Sequence, residues 1–436
     1  MHGECQVEPR GPRRKVLEYL KILGPGLVTG AADDDPSGIA TYSQTGAQFG
    51  FGQLWTALYQ IPLLIAVQEC CARIGVVTGK GLAGVIKEHF NRKILLGVVL
   101  LVALANIINI GADIGAISAA MALVVLAPLW LYAIFTTGLI LGLEICVSYR
   151  LYAKFLKLLA LALLSYPATA LIVHQPWREI LWATVVPNIR FNFAFLYIVV
   201  GVFGTTISPY MFFWQASQEV EEESLLGVTT DPNGRKLLPR GFISDMRIDT
   251  AIGMIASQAT QWFTIITTAT VLFSHGVTNI GTAADAAKAL EPLVHAFPNA
   301  GQAAKDLFAI GIVGLGLLAI PVLAGSAAYA LAETFDWKEG LSRRFGEARG
   351  FYGVIILATG IGLALNFIGI NPIKALVFTA VFNGIAAVPL LYLIAKINGD
   401  GAILGAFKGG MLSRILVWLA FGIMGLSAIA LFYTMI

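Results

Sequence analysis

The sequence predicts an all-α polytopic membrane protein of about eleven transmembrane helices, built as two inverted five-helix repeats plus one. Three observations carry this. Of 436 residues, 57% are hydrophobic and only 13% charged, against about 25% charged in a soluble domain, and the mean hydropathy is +0.77. Apolar stretches of roughly 20 residues, the length that crosses a bilayer, recur along the chain. Two of those stretches carry a proline at matching places five spans apart, and an odd number of spans inverts the second copy relative to the first.

Residues 1–22 form a basic segment with Arg10, Arg13, Arg14, Lys15 and Lys21, expected to be cytoplasmic. Basic and then apolar, it has the outline of a signal peptide. A small-residue cleavage site is hard to find before the acidic run and more spans follow, so it reads as the approach to a helix that is kept. The first repeat, 23–173, holds spans near 23–48, 51–77, 96–126, 129–148 and 151–173. The second, 174–396, holds spans near 193–217, 248–275, 306–333, 351–370 and 374–396. A last helix near 412–434 lies in 397–436. The polar stretch 218–247, with an Asp231-Pro232-Asn233-Gly234 turn, reads as a cytoplasmic loop inside the second repeat. No soluble domain is expected at either end.

Lysines and arginines orient the bundle. Besides the N-terminal group, Arg73, Lys80, Lys87, Arg92 and Lys93 follow the second span, Arg235, Lys236, Arg240 and Arg247 the sixth, and Lys338, Arg343, Arg344 and Arg349 the eighth. All fall on one side if the N-terminus is cytoplasmic and the C-terminus outside, as expected for a multi-pass protein of the cell membrane. A formal net charge of +3 without a long basic run excludes nucleic acid as a partner. Four cysteines lack zinc-ligand spacing and read as idle thiols. The bilayer is the expected partner, and no obligate protein partner is evident.

The first span is broken at Asp35-Pro36-Ser37-Gly38, directly after Asp33 and Asp34. An aspartate near the bilayer centre costs roughly 2.5–3.5 kcal/mol even on lenient scales, so it is paired or functional. On a continuous helix the three acids point about 100° apart and cannot all face one ion. Asp35 abuts Pro36, which lacks an N–H and must open the helix, so a carboxylate and freed carbonyls can share a cation there. Asp35 is the first choice of ligand, with Asp33, Asp34 and Ser37 lining or supporting the ion's path. The sixth span, "VVGVFGTTISPYMFFWQASQE", is broken at Pro209 and offers Thr205, Thr206 and Ser208, then Tyr210. Such hydroxyls also bond back to their own helix. Opposite Asp35 they complete an all-oxygen set suited to a hard cation such as Mg²⁺, Ca²⁺ or Mn²⁺. Paired broken helices in inverted halves point to the midplane site of a secondary transporter.

At these residues the chain resembles the NRAMP family of divalent metal transporters along essentially its whole length. "GPGLVTGAADDDPSGIATYSQTGAQFG" is similar to the family's first helix, with Asp35-Pro36-Ser37-Gly38 in place of Asp-Pro-Gly-Asn. "GTTISPYMFFWQAS" is similar to its sixth, "SDMRIDTAIGMIASQATQWF" to the start of its seventh, and "LAGSAAYALAETF" to the end of its eighth. The resemblance implies the LeuT-like fold of the amino acid/neurotransmitter transporter superfamily. It also implies metal ligands at Asp35, Gly38, Thr205 and Ser208. Family members for Mn²⁺ and Fe²⁺ use an aspartate, an asparagine and a methionine. Here Gly38 stands for the asparagine, Ser208 for the methionine, and Thr205 for an alanine whose carbonyl helps.

Losing the thioether removes the soft ligand, and glycine for asparagine is expected to widen the site. A hard site for a partly hydrated ion resembles the NRAMP-related magnesium transporters, so Mg²⁺ is the expected substrate, with Mn²⁺ carried too. The family's histidine after the sixth-helix proline is Tyr210, and a phenol of ordinary pKa about 10 carries protons poorly at neutral pH. Uncoupled transport is therefore expected, with Asp113 and Glu144 the acids that could still relay protons. Gln261 and Asn383 fall where the family has polar residues near the site, and each also reads as an interhelical hydrogen-bonding residue. The alternative is a proton-coupled Mn²⁺/Fe²⁺ symporter. A Mg²⁺-dependent membrane prenyltransferase is remote: Asp33-Asp34-Asp35 spread around a helix, and Asp245-x-x-x-Asp249 lies at a span's start. No enzyme activity and no cofactor are expected, the metal being substrate.

Overall fold

The computed structural model describes residues 24–147, 164–225, 241–295 and 299–435. The expected N-terminal segment 1–22 and the residues of the fifth span before 164 lie outside the described residues. The chain is helical throughout these segments. The first span is two helices, α1 (Pro25–Asp33) and α2 (Pro36–Phe49). α3 (Trp55–Thr78), α4 (Leu82–His89), α5 (Arg92–Val124), α6 (Leu129–Cys146), α7 (Ser165–Ile172) and α8 (Trp177–Val185) follow. The sixth span is again two helices, α9 (Phe193–Thr206) and α10 (Pro209–Leu225). α11 (Phe242–Val271), α12 (Ala300–Phe335), α13 (Arg349–Leu365), α14 (Pro372–Gly399) and α15 (Met411–Tyr433) complete the bundle.

Each break falls where a proline stands at the first position of the second half. A proline there lacks only an N–H that a helix start leaves unpaired anyway, so it starts a helix as readily as it ends one. At about 1.5 Å per residue, neither α1 nor α2 crosses a bilayer alone, and together they do. The polar stretch 218–247 is shorter as a connection than expected. Its first residues continue α10 to Leu225 and its last begin α11 at Phe242, because buried Glu219 and Glu223 and the buried Asp249 all face protein rather than water.

Around the breaks, helices approach to backbone contact. A Cβ added to Gly30 of α1 would lie 2.3 Å from the Gly253 carbonyl oxygen of α11, and one on Gly204 of α9 2.1 Å from the Ala380 carbonyl oxygen of α14. Small residues are what membrane helices use for such approach. The pattern repeats between the halves: Gly46 of α2 meets the Ile265 carbonyl of α11, and Gly75 of α3 meets the Ala216 carbonyl of α10. Second half-helices thus dock on the other repeat's second span. α6, α13 and α15 lie outside this core and turn leucines such as Leu139, Leu357 and Leu426 outward.

Candidate cation site at the two helix breaks

Pro36 has no N–H to give the Ala32 carbonyl, four residues back, so that carbonyl is left over. Tyr210, just past the other break, takes it with a 2.9 Å hydrogen bond from its phenol. Pro209 leaves the Thr205 carbonyl over in the same way. The Ser208 hydroxyl takes that one at 2.7 Å and also reaches the Gly204 carbonyl. Ser208, expected as a ligand, therefore spends its proton inside its own break.

Asp35 caps α2. Its Oδ1 accepts from the Gly38 N–H at 2.6 Å and the Ser37 hydroxyl at 2.7 Å, and its Oδ2 from Asn109 Nδ2 of α5 at 2.9 Å. The Ser37 and Thr205 hydroxyls lie 3.4 Å apart across the two breaks. A Cβ on Gly38 would sit 3.2 Å from both the Asp33 carbonyl oxygen and Thr205 Oγ1. The expectation that glycine widens the site is not met in this conformation. Without a side chain at 38, α9 and the end of α1 close in and put two oxygens where an asparagine would stand. Asp35, Gly38 and Thr205 are thus brought together as expected, in an oxygen environment. Among the described residues, no group of three or more His, Cys, Asp and Glu side chains forms a metal cage.

The acids do not spread as on a continuous helix. α1 ends at Asp33 and Asp34 leaves helical geometry (φ −87, ψ 44), so consecutive carboxylates turn to one partner. The Ser257 hydroxyl of α11 donates to Asp33 and lies 3.5 Å from Asp34 Oδ1. All three aspartates are closed off from solvent, at 0%, 1% and 1% exposure. Thr206 and Gln261 act as interhelical ties. The Thr206 hydroxyl meets the Tyr42 phenol at 3.1 Å and Gln261 Oε1 at 3.3 Å, while Gln261 Nε2 donates to Thr56 of α3 at 3.0 Å.

Asp113 is buried one turn beyond Asn109 on α5, with neither carboxylate oxygen hydrogen-bonded. Asn383 on α14 is buried with its amide unpartnered. Glu144, also unpartnered, lies near the end of α6, apart from the breaks. Sequence reasoning missed Asn109 and Ser257, and read Asp249 only as half of the remote Asp245-x-x-x-Asp249 spacing. Asn109 had a signal, since it stands four residues before Asp113 and so shares its helix face. Asp249 clamps the start of α1: Gly24, Gly26 and Leu27 donate their N–H groups to its carboxylate at 3.0, 2.7 and 3.2 Å.

Comparison with known proteins agrees with this architecture. A divalent metal cation transporter MntH of Verminephrobacter eiseniae is 32% identical over 208 residues, which is 47% of this chain and 47% of that protein. MntH of Yersinia pestis is 28% identical over 324 residues, 73% of each chain. Among solved structures, the Eremococcus coleocola manganese transporter, crystallised with an aromatic bis-isothiourea substituted compound, superposes with a TM-score of 0.76 at 16% identity, covering 97% of this chain and 87% of that one. Mhp1, a nucleobase-cation-symport-1 family transporter in a closed conformation, gives 0.56 at 12% identity over 95% and 92%. At those identities the likeness is one of fold: an all-α membrane protein with two inverted five-helix repeats. The family model described as natural resistance-associated macrophage protein-like matches residues 26–434, and this chain belongs to that Nramp family.

Proposed function

We propose that this protein is a secondary transporter that moves divalent metal cations, Mg²⁺ and also Mn²⁺, into the cytoplasm by alternating access, without proton coupling. The observation that carries the reading is the oxygen set at the breaks. The Asp35 carboxylate, the Asp33 carbonyl and the Thr205 hydroxyl converge at Gly38, with serine at 208 in place of a thioether. Hard oxygens suit Mg²⁺ and Mn²⁺, and no soft ligand favours transition metals. The curated relatives are named as divalent metal cation transporters, which supports the substrate class. The N-terminus is cytoplasmic and the C-terminus outside in this reading, from the distribution of basic residues.

Uncoupled uptake has a sufficient driving force. A divalent ion gains about 4.6 kcal/mol per 100 mV, twice the single-charge value. Tyr210, where the family pattern has histidine, is held on the Ala32 carbonyl and has no proton-carrying task in this reading. One observation favours the alternative, proton-coupled Mn²⁺/Fe²⁺ symport: Asp113, one turn along α5 from the Asn109 that holds Asp35, has both oxygens unpartnered. The prenyltransferase reading loses its second motif, because Asp249 is engaged by the α1 backbone while Asp245 is exposed.

The test uses proteoliposomes loaded with magnesium- and pH-sensitive dyes under a clamped potential. Mg²⁺ uptake without acidification, abolished in Asp35→Ala, is expected. Mn²⁺ uptake with acidification and no Mg²⁺ uptake would establish the symporter instead.

A further inference from the structure

Next to Asp35, α5 presents a row of acceptors with no donor. Asn109 Oδ1 and both carboxylate oxygens of Asp113 lack any hydrogen-bond partner, and both side chains are 0% exposed. The two residues are one turn apart on α5 and so share a face. That face is turned to the break, because Asn109 Nδ2 donates to Asp35 Oδ2 at 2.9 Å. The two polar atoms of the Asn109 amide share one carbon, so its free oxygen lies beside the Asp35 carboxylate.

A buried acceptor left without a donor is costly, and three in succession call for a ligand that brings hydrogens. Waters bound to a metal ion are such a ligand. Each holds the metal through its oxygen and turns both O–H bonds outward. Mg²⁺ dehydrates reluctantly and keeps several waters, so a site for it needs outward acceptors as well as a direct carboxylate.

We infer that Asn109 and Asp113 form an outer-sphere site on α5 for a hydrated divalent cation, accepting hydrogen bonds from its waters while Asp35 faces the ion. This rests on the reading that Asp35 binds the transported ion and extends it to how the ion's water is held. Asn109 has two tasks: its nitrogen positions Asp35, and its oxygen receives water. Asp113 completes the row with two further acceptors and a negative charge. An ion that sheds its waters easily gains less from this face than one that keeps them.

Cobalt(III) hexammine tests the inference. It is exchange-inert, presents an octahedral shell of outward N–H donors, and cannot bind a carboxylate directly. Mg²⁺ uptake into proteoliposomes is measured against its concentration for the wild type, Asp113→Asn, Asn109→Leu and Asn109→Asp, each checked for folding by thermal unfolding in detergent. Competitive inhibition is expected in the wild type. Asp113→Asn and Asn109→Leu should each raise the half-inhibiting concentration about tenfold or more, beyond any rise in KM for Mg²⁺. Asn109→Asp, which keeps acceptors but loses the donor to Asp35, should stay sensitive to the complex while Mg²⁺ uptake falls. Wild-type Mg²⁺ uptake that ignores the complex, or sensitivity unchanged in Asp113→Asn, overturns the outer-sphere site and leaves the Asp35 reading intact. Mn²⁺ uptake without Mg²⁺ uptake overturns the magnesium reading, and this inference with it.

Discussion

The Tyr210 phenol donates a 2.9 Å hydrogen bond to the Ala32 carbonyl, the carbonyl that Pro36 leaves without its helical donor. One break thereby caps the other: a side chain just past the second closes the carbonyl that the first leaves open. Removing the hydroxyl strands a buried acceptor at a cost of about 1–3 kcal/mol. Tyr210→Phe should therefore lower the thermal midpoint in detergent by several degrees and slow Mg²⁺ uptake several-fold. If the phenol carries no protons, the pH profile of uptake between pH 6 and 8 should keep its shape. A profile that flattens or shifts would assign Tyr210 to proton transfer.

Asp249 joins α11 to the first turn of α1 through three backbone N–H groups. A carboxylate at a helix start also meets the positive end of the helix dipole. Asp249→Asn keeps the shape and loses the charge, worth about 1–2 kcal/mol here, or roughly a 5- to 30-fold shift between docked and released α1. Cysteine placed at Ala31, in a background without Cys5, Cys70, Cys71 and Cys146, should react faster with a water-soluble maleimide in that variant. Equal labelling rates would show that the clamp does not hold α1.

Gly38 lets two oxygens approach where a side chain would stand. Gly38→Asn should displace Thr205 and the end of α1, depressing Mg²⁺ uptake by about tenfold or more while sparing Mn²⁺ better, since an amide ligand costs a partly dehydrated ion less. Competition between the two metals in a single uptake assay reads the ratio directly. An unchanged ratio would mean that position 38 does not set selectivity.

Glu339, in the connection between α12 and α13, is pushed up to about 9 from an ordinary 4.5, first by burial and then by the charges of Glu333 and Glu221, with Arg343 opposing. A carboxyl whose folded value is raised binds more protons folded than unfolded. Its contribution to stability is therefore full at acid pH and lost as pH climbs from about 4.5 towards 9. Glu339→Gln stays neutral and should raise the thermal midpoint more at pH 8 than at pH 6. A midpoint difference independent of pH would place the titration elsewhere.

The spans and the two breaks were legible in the sequence because both rest on local chemistry. A run of apolar residues has few homes outside a bilayer, and a proline breaks the ladder whatever surrounds it. Hence Pro36 and Pro209 stand at the starts of α2 and α10 as expected. The directions of the acids were not legible. Helical spacing separates Asp33 from Asp34, but the spacing fails where the helix ends, and both turn to Ser257 of α11. Ser208 shows the same limit: its hydroxyl answers to two carbonyls freed in its own break, a demand that appears only once the backbone is in place.

By itself, then, the sequence determined a helical membrane bundle with two inverted halves, broken at Asp35-Pro36 and at Pro209, with oxygen donors gathered at both. Periodicity, length and the missing proline N–H act within a few residues, so they can be read from the chain. Tertiary structure alone decided that Asn109 holds Asp35, that Tyr210 closes the Ala32 carbonyl, that Asp249 fastens α1, and that Gly38 admits Thr205 and the Asp33 carbonyl. Each joins segments that are distant in sequence or separated by a break, and a hydrogen bond acts only at about 3 Å. Which atoms come that close depends on how whole helices pack.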